Sequence, residues 1–215
     1  MKKQLKNKLI LTTVICLLSI LIGLVLWNRL PDVMVTHFDM NGEPNGWSSK
    51  AFTVFGLPIF IAVMNLLCTI VTERDPRRHR YPEKMMNLVY WICPVVSWIC
   101  SVATYGYELG WNQQKLLGFM YLFVGVIFIV LGNYMPKVKQ NYYLGIKLPW
   151  TYQSEENWNK THRMAGKLWV AGGIIFLLTF FLKIKWLELI IMFVMILVPT
   201  VYSYLYSKKE QKRNS

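Results

Sequence analysis

Six stretches without a charged residue constrain this chain more than any other feature of its sequence. They cover residues 9–28, 51–72, 85–107, 116–136, 168–182 and 189–207, and contain 20, 22, 23, 21, 15 and 19 residues. Because a helix rises about 1.5 Å per residue, about 20 apolar residues cross a hydrocarbon core of roughly 30 Å. We therefore expect an all-α integral membrane protein with six transmembrane helices.

The composition excludes the main alternative classes. Of the 215 residues, 54% are hydrophobic and 16% are charged, whereas soluble chains carry about 25% charged residues. Intrinsic disorder needs low hydrophobicity and high charge, so it is excluded. A small soluble enzyme is disfavoured, because too few charged residues are present to cover this much apolar mass.

The fifth stretch leaves two interpretations open. Its 15 residues reach only about 22 Å as a helix. Snorkelling of the flanking Lys167, Lys183 and Lys185 side chains would extend it to spanning length. The alternative is a re-entrant or interfacial segment.

The basic residues predict the orientation. Of 24 Lys and Arg residues, 19 lie in the N-terminus, the loops after the second and fourth stretches, and the C-terminal tail. Basic loops stay in the cytoplasm, so both termini are expected to be cytoplasmic. The net charge of +13 then reflects orientation and contact with anionic lipid, and no direct nucleic-acid partner is expected.

No pattern indicates catalysis, a cofactor or a metal. The four cysteines, Cys16, Cys68, Cys93 and Cys100, all fall inside predicted spans and are interpreted as small apolar packing residues. No zinc-binding, nucleophile-elbow or phosphate-binding motif occurs. Charged residues are also absent from the centres of the spans, which argues against an ion-coupled transporter. The functional parts are therefore expected in the loops.

The loop after the first span is expected to be a compact extracytoplasmic structure. Residues 33–38 form a β-like run, and Asn41-Gly42 and Asn45-Gly46 are turn signals that favour positive φ. Ser48-Ser49 can cap the second span. We expect His37 to form a hydrogen bond within this loop. Trp47 is either part of it or a residue of the interfacial aromatic belt.

The segment before the fifth span is expected to be an amphipathic cytoplasmic helix. Ser154 can cap a helix whose first turn carries Glu155 and Glu156, and Glu156 can pair with Lys160. One helix face is formed by Trp158, His162, Ala165 and Trp169. We expect this helix to lie at the inner membrane surface and to lead into the fifth span. The alternative is an interfacial elbow without a partner.

These two loops resemble a known family. Residues 145–151 (GIKLPWT), together with Ser154, Glu155, Glu156, Trp158, Thr161, His162, Arg163 and Gly166, resemble the signature of the SdpI family. The outer loop, with Pro31, Thr36, His37, Phe38, Gly42, Gly46 and Trp47, resembles the uncharacterised N-terminal domain that often accompanies it. The departures are small: Lys147-Leu148 stands where Arg-Thr is usual, Asp39 where Asn is usual, and Asn45 where Asp is common.

The resemblance implies three regions and two groups of candidate binding residues. The regions are 1–72 for the N-terminal domain, 73–135 for helices 3 and 4, and 136–215 for the signature loop and helices 5 and 6. The outer candidates are Pro31, Thr36, His37, Phe38, Gly42, Gly46 and Trp47. The inner candidates are Gly145, Pro149, Trp150, Thr151, Ser154, Glu155, Trp158, Thr161, His162, Arg163 and Gly166.

The resemblance also implies a function. It suggests a multi-pass protein of the bacterial cell membrane, without enzymatic activity, that gives immunity to or senses a secreted, membrane-active peptide toxin. An apolar peptide outside and a transcriptional repressor inside are the implied partners beside the lipid bilayer.

Two other functions remain open. An uncoupled small-solute or lipid transporter would need a polar path, for which Asn65, Ser97, Thr104 and Asn133 are the candidates. A metal-dependent membrane enzyme would use His37 with Asp39, or the set Glu155, Glu156 and His162.

Overall fold

Six long apolar helices dominate the protein, whose computed structural model describes residues 3–39, 41–182 and 186–214. Among these residues, the helices long and apolar enough to cross a membrane are Leu5–Val25, Phe52–Glu73, Glu83–Glu108, Gln113–Lys137, Glu155–Phe181 and Leu187–Arg213. The prediction of six membrane-spanning helices is confirmed at this level. Lys183 and Lys185, expected to flank the fifth span, lie outside the described residues.

The chain forms two compact units. Unit 1 comprises Met1–Arg74 and Met86–Met120, and unit 2 comprises Asp75–Met85 and Tyr121–Ser215. The α-helices are α1 (Lys3–Val25), α2 (Leu57–Glu73), α3 (Glu83–Glu108), α4 (Gln113–Tyr134), α5 (Pro149–Gln153), α6 (Glu155–Leu182) and α7 (Leu187–Asn214). The strands are β1 (Val33–Phe38) and β2 (Pro44–Ser49), which pair in antiparallel fashion.

The strands of unit 1 confirm the predicted β-like run and correct one predicted turn. Gly42 has a φ of 78°, as the Asn41-Gly42 signal predicted. Gly46 instead lies within β2, opposite His37 at an irregularity in the register. A Cβ on Gly46 would lie 2.8 Å from Cβ of His37. The glycine is therefore explained by close approach of the two strands, and the prediction of a second tight turn was wrong.

The hairpin continues into the second apolar helix through an irregular turn. The Ser49 hydroxyl accepts a hydrogen bond from the Phe52 amide at 3.3 Å, as the predicted cap requires. A π-helical turn, Phe52–Gly56, then precedes α2. Beneath the hairpin, a buried cluster contains Leu30, Met34, Val54 and Tyr105. This cluster packs the base of the hairpin onto the apolar helices.

Glycines allow α4 and α6 to approach closely within unit 2. A Cβ on Gly132 would lie 2.7 Å from the Val170 nitrogen, and a Cβ on Gly166 would lie 2.7 Å from the Gly132 oxygen. One heptad away, Gly125 and Gly173 meet in the same way. In lipid no hydrophobic effect drives helices together. Small residues stabilise such contacts because they allow close van der Waals packing of the two backbones.

Helix α6 differs from the expected surface helix. It runs without a break from Glu155 to Leu182, so its first turns contain the signature residues from Glu155 to Gly166. The face predicted from periodicity exists, because Trp158, His162 and Ala165 are fully buried. That face is buried by other parts of unit 2. Periodicity identified the buried face correctly, but it could not identify what covers it.

Candidate functional site

Residues 138–148, which precede α5, form the signature loop of unit 2. This loop is organised around the buried side chain of Asn141. Its Oδ1 accepts hydrogen bonds from the amides of Tyr143 (2.9 Å) and Leu144 (2.7 Å). Its Nδ2 donates to the carbonyls of Lys139 (2.7 Å) and Leu144 (3.0 Å). One side chain thus satisfies the backbone groups of a whole turn, which explains why an asparagine is buried here.

Gly145 brings the next part of the loop against the imidazole of His162. Gly145 has a φ of 104°, and a Cβ at this position would collide with Nε2 of His162. The Ile146 amide donates to that Nε2 atom at 2.9 Å, and Nδ1 lies 2.8 Å from the Trp158 carbonyl oxygen. Nε2 accepts and Nδ1 faces an acceptor, so His162 is neutral with its proton on Nδ1.

Trp158 supports the other side of this imidazole. The Trp158 and His162 rings stack with centroids 4.2 Å apart. The indole Nε1 donates to the Val138 carbonyl at 2.7 Å. Both side chains are fully buried, so together they fix the beginning and the middle of the signature loop to α6.

Thr151 and Gln140 hold the end of the loop. The Thr151 hydroxyl accepts from the Leu148 amide at 2.9 Å and lies 3.0 Å from the Ile146 carbonyl, to which it can donate. Gln140 Nε2 donates to the carbonyls of Thr151 (3.1 Å) and Tyr152 (2.9 Å). Leu148 is extended, as expected before a proline. Pro149 then starts the short helix α5.

The loop between α2 and α3 contributes a buried carboxylate to the same unit. Asp75 accepts hydrogen bonds from the hydroxyl of Tyr81, the Arg77 amide at 2.7 Å and the Tyr142 amide at 3.2 Å. The Tyr81 hydroxyl also lies 2.9 Å from Asn141 Oδ1. Asp75 and Tyr81 are 4% and 6% exposed. Two separate loops therefore share one buried polar network.

The network shifts the ionisation of its members. Burial raises the pKa of Asp75, but the hydrogen bonds from Tyr81, Arg77 and Tyr142 outweigh it, and the pKa of Asp75 is lowered below its ordinary value. Burial and the bond to Asp75 raise the pKa of Tyr81. Asp75 is thus held as a carboxylate and Tyr81 as a neutral phenol.

The Pro149-Trp150 motif docks onto α7. The Trp150 indole donates to the Ser203 hydroxyl at 2.7 Å, and its ring packs edge-on against Tyr204 at 5.4 Å. The buried Asn157 amide donates to the Ser203 carbonyl at 2.9 Å and accepts from the Thr161 hydroxyl at 3.0 Å. The motif therefore connects α5, α6 and α7.

Polar groups on the exposed side complete the connection to α7. Ser154 caps α6 by accepting from the Asn157 amide at 3.1 Å, as predicted, and donates to Glu210 at 2.7 Å. The predicted pair of Glu156 and Lys160 forms at 2.8 Å.

Five of the eleven inner candidate residues are buried in the protein. Fully buried among them are Thr151, Trp158, Thr161 and His162, and Gly166 lies against α4. Four are exposed, namely Gly145, Pro149, Glu155 and Arg163, and Glu155 lies 4.0 Å from Arg80. The geometry gives this motif a structural role, in which it builds a rigid polar loop at one end of unit 2.

The outer candidates are brought together on the hairpin of unit 1. His37 Nδ1 is hydrogen-bonded to Asn45 Oδ1, which confirms the expected bond within the loop. Phe38 packs against Tyr107 with ring centroids 5.1 Å apart, and a Cβ on Gly42 would lie 2.9 Å from Leu117. Thr36 is half-buried and Pro31 is exposed.

Asp39 shapes the hairpin turn. Its Oδ1 accepts from the amides of Asn41 and Glu43, both at 2.8 Å. The bond from Glu43 contributes most to lowering the pKa of Asp39. The Asp39 carboxylate therefore accepts the hydrogen bonds that form the turn. The His37 ring is hydrogen-bonded to Asn45. Trp47 and Val33 stay 58% and 62% exposed, so the hairpin presents apolar side chains at its surface.

Of the residues named for the alternative functions, Ser97 and Thr104 line one pocket in unit 1, and the others make separate contacts. Asn65 donates to the hydroxyls of Thr12 (3.1 Å) and Thr13 (3.2 Å), and Ser97 donates to the Cys16 carbonyl at 3.1 Å. Asn133 belongs to unit 2 and is exposed. The set Glu155, Glu156 and His162 was the second candidate for a membrane enzyme. Both ring nitrogens of His162 already form hydrogen bonds. Within residues 3–39, 41–182 and 186–214, no three His, Cys, Asp or Glu side chains are grouped to hold a metal.

Sequence reasoning missed several buried residues of the site, namely Asp75, Tyr81, Gln140, Asn141 and Asn157. Asp75 stands among Arg74, Arg77 and Arg78, so it was overlooked in a segment that was interpreted only through its positive charge. A lone acid followed by proline, directly after a span, was the available signal. For Asn141, the signal was an asparagine before two tyrosines in the stretch that leads to Gly145.

Comparison with known proteins finds sequence matches that contain both loops. Residues 137–203 match the SdpI/YfhL protein family, and residues 14–62 match a domain of unknown function, DUF1648. The chain is also 28% identical, over 210 residues, to Immunity protein SdpI of Bacillus subtilis (strain 168), and the match covers 94% of this chain and 97% of that protein. No solved structure matches the chain. The first match contains the signature loop and the second contains the hairpin.

Proposed function

Because this chain belongs to the SdpI/YfhL protein family and is a multi-pass protein of the bacterial cell membrane, we propose that it protects the cell from a secreted, membrane-active peptide toxin. The observation that carries the proposal is the near full-length similarity to a protein named for immunity. The proposal involves no chemical step, so it assigns no catalytic residue.

The proposed orientation places the hairpin outside and the signature loop in the cytoplasm. The support is the distribution of basic residues, of which 19 out of 24 fall on one side under six spans. The hairpin then meets the toxin at the outer surface. Its exposed Trp47 and Val33 would provide apolar contacts for an apolar peptide.

The proposed inward role is recruitment of a transcriptional repressor by the signature loop. Tyr142 and Tyr143 are 46% and 42% exposed, although the backbone that carries them is fixed by Asn141 and Asp75. Aromatic side chains on a rigid backbone are suited to protein contacts. Membrane recruitment of a candidate repressor, followed by fluorescence microscopy, tests this part independently of protection.

Protection is tested by expressing the full chain in a toxin-sensitive bacterium and exposing the cells to peptides secreted by related strains. We expect survival to rise with expression for at least one peptide. Unchanged killing by every peptide, at verified membrane levels of the protein, would contradict the proposal.

A pair of variants tests the contribution of the hairpin. Trp47→Ala is expected to lower protection while membrane levels stay normal, since the side chain is 58% exposed. Phe60→Ala is the matched control, because Phe60 is 61% exposed on the apolar surface of α2. Equal protection by both variants would remove the hairpin from the proposed toxin surface.

A further inference from the structure

A pair of cysteines connects the second and third apolar helices of unit 1. The Cys93 side chain, on α3, is hydrogen-bonded to the Cys68 side chain, on α2. Both residues belong to unit 1 and lie within the candidate membrane spans. Packing alone was expected of them, because they are far apart in the sequence. Two thiols in contact can also be oxidised to a disulfide, which an isolated packing cysteine cannot form.

Contacts on both sides of this pair keep the two helices in register. On one side, the Tyr90 hydroxyl of α3 donates a hydrogen bond to the Glu73 carboxylate of α2. On the other side, Ile61 of α2 and Ser97 of α3 line the same pocket. On each helix, the cysteine lies between these two contact points in the sequence. The antiparallel packing of α2 and α3 therefore places the two thiols opposite each other.

The pair is accessible from the apolar surface of unit 1. Cys68 is exposed and Cys93 is half-buried. The exposed face of α2 around Cys68 also carries Leu67 and Val71. Because this face is apolar and belongs to a candidate membrane span, we expect it to contact lipid. A reagent dissolved in the bilayer would therefore meet the Cys68 thiol first.

The other two cysteines of unit 1 differ from this pair. Cys16 lies near enough to Cys93 to interact with it, but Cys16 is fully buried. Cys100 is exposed, but it follows Cys93 on the same helix by seven residues, a rise of about 10 Å. That separation exceeds the reach of a disulfide. Access and proximity thus coincide only at Cys68 and Cys93.

We propose that Cys68 and Cys93 form a redox modification site, at which an apolar disulfide of low molecular weight oxidises the two thiols to a disulfide between α2 and α3. The site depends only on the geometry of unit 1, so it holds or fails independently of the immunity proposal.

The reaction consists of two thiol–disulfide exchange steps. The Cys68 sulfur attacks one sulfur of the reagent, the S–S bond of the reagent breaks, and a first small thiol leaves with the Cys68 proton. The Cys93 sulfur then attacks the Cys68 sulfur in this mixed disulfide, and a second small thiol leaves with the Cys93 proton. The two cysteines are oxidised, and the disulfide of the reagent is reduced to two thiols.

The test treats the purified full chain, reconstituted in phospholipid vesicles, with the neutral reagent 2,2′-dipyridyl disulfide. Digestion without reductant, followed by mass spectrometry, shows which cysteines carry a pyridyl group and which are joined. We expect peptides joined through Cys68 and Cys93, and dithiothreitol should return both residues to thiols. Pyridyl groups that remain on either residue without a joined pair would overturn the proposal. So would a disulfide between Cys93 and Cys16 in place of the expected one.

Cys100 provides the matched control within the same chain. It is also an exposed cysteine, so it should take up a pyridyl group and keep it, since no thiol is positioned to displace that group. Cys100→Ala should retain the joined pair, whereas Cys68→Ala should leave Cys93 unjoined. Labelling of Cys100 without joining of the pair would overturn the proposal. The result for the native chain does not depend on the folding of any variant.

A charged reagent tests whether the oxidant arrives through lipid. The dianion 5,5′-dithiobis(2-nitrobenzoate) undergoes the same exchange, but charged groups are excluded from the hydrocarbon core. We expect it to join Cys68 and Cys93 at least about tenfold more slowly than 2,2′-dipyridyl disulfide does in the same vesicles. Equal rates for the two reagents would contradict an apolar oxidant as the partner of this site.

Discussion

Gly145 shows how a single residue can control the signature loop. It has positive φ and sits against the imidazole of His162, so a side chain there meets both backbone strain and a steric clash. Gly110 also has positive φ, at 97°, but a Cβ there would meet nothing within 4 Å. Comparison of substitutions at the two glycines therefore separates the cost of backbone strain from the cost of a steric clash.

We predict that Gly145→Ala destabilises the protein more than Gly110→Ala. Strain alone costs about 1–3 kcal/mol, and Gly145→Ala additionally displaces the His162 ring from the Ile146 amide. Thermal unfolding in detergent measures both variants. A Tm for Gly145→Ala equal to that of Gly110→Ala would show that the loop can move away from His162 without cost.

A second residue-scale prediction concerns Asp75 and pH. Its pKa is lowered in the folded protein, so its contribution to stability is fully present above the unfolded pKa of about 3.9. That contribution is lost as pH falls through the lower folded pKa. Asp75→Asn should lower stability at neutral pH by about 1–3 kcal/mol, since an amide cannot accept from every present donor.

The acid dependence provides the control for this prediction. The stability difference between the native chain and Asp75→Asn should shrink as pH falls below about 4. Asp32→Asn should show little change at any pH, because the Asp32 side chain is 99% exposed in its pair with Lys50. A pH-independent difference for Asp75→Asn would mean that its charge does not matter.

Residue-scale prediction from sequence succeeded where the signal was local. The Ser49 and Ser154 caps, the pair of Glu156 and Lys160, and the Gly42 turn all depend on neighbours within five positions. The roles of Asp75 and Asn141 depend on partners brought together by the fold. The Asn45-Gly46 signal failed because the same dipeptide fits both a tight turn and a strand that closely approaches its neighbour.

Among the elements, the contact between α4 and α6 is sensitive to side-chain size. A Cβ on Gly132 would lie 2.7–2.8 Å from backbone atoms of α6, which cannot rotate away as a side chain can. Gly132→Leu is therefore expected to lower the Tm in detergent, with an overpacking cost of about 1–3 kcal/mol or more. Val126→Leu, at an exposed position of the same helix, should leave the Tm unchanged.

The orientation of the elements yields a separate prediction. With the four native cysteines replaced by alanine, Glu43→Cys should react with a membrane-impermeant maleimide in intact cells, because the hairpin is proposed to lie outside. Tyr143→Cys should react only after lysis, when both variants should label equally. Labelling of both in intact cells would place the hairpin and the signature loop on the same face.

At the element scale, the sequence identified helices better than their surroundings. The uncharged stretches predicted six apolar helices, since length and charge spacing alone determine that result. The periodic face of α6 was also correct, but it was assigned to the membrane surface. A pattern of apolar residues indicates that a helix face is buried. It does not show whether lipid or protein buries that face.

In the whole molecule, two kinds of polar structure lie in different units. Unit 1 contains the hairpin and the hydroxyl-lined pocket, and unit 2 contains the polar network of the signature loop. Composition predicted the membrane class, because too little charge is available to solvate this apolar mass. The pocket, whose lining includes Thr53, Ser97, Ser101, Thr104 and Tyr105, was not predictable. These residues come from two apolar helices whose pairing no local pattern specifies.

The inward-facing signature residues have an evolutionary consequence. Substitution of Trp158, His162, Gly145 or Thr151 would disturb formation of the loop itself, so under the proposed immunity function relatives that meet different antagonists would retain these residues. Divergence in what each relative recognises should instead accumulate at outward positions such as Val33 and Trp47. A shared signature motif would then indicate a common structure of the loop. Recognition of new peptides could change without any change in that motif.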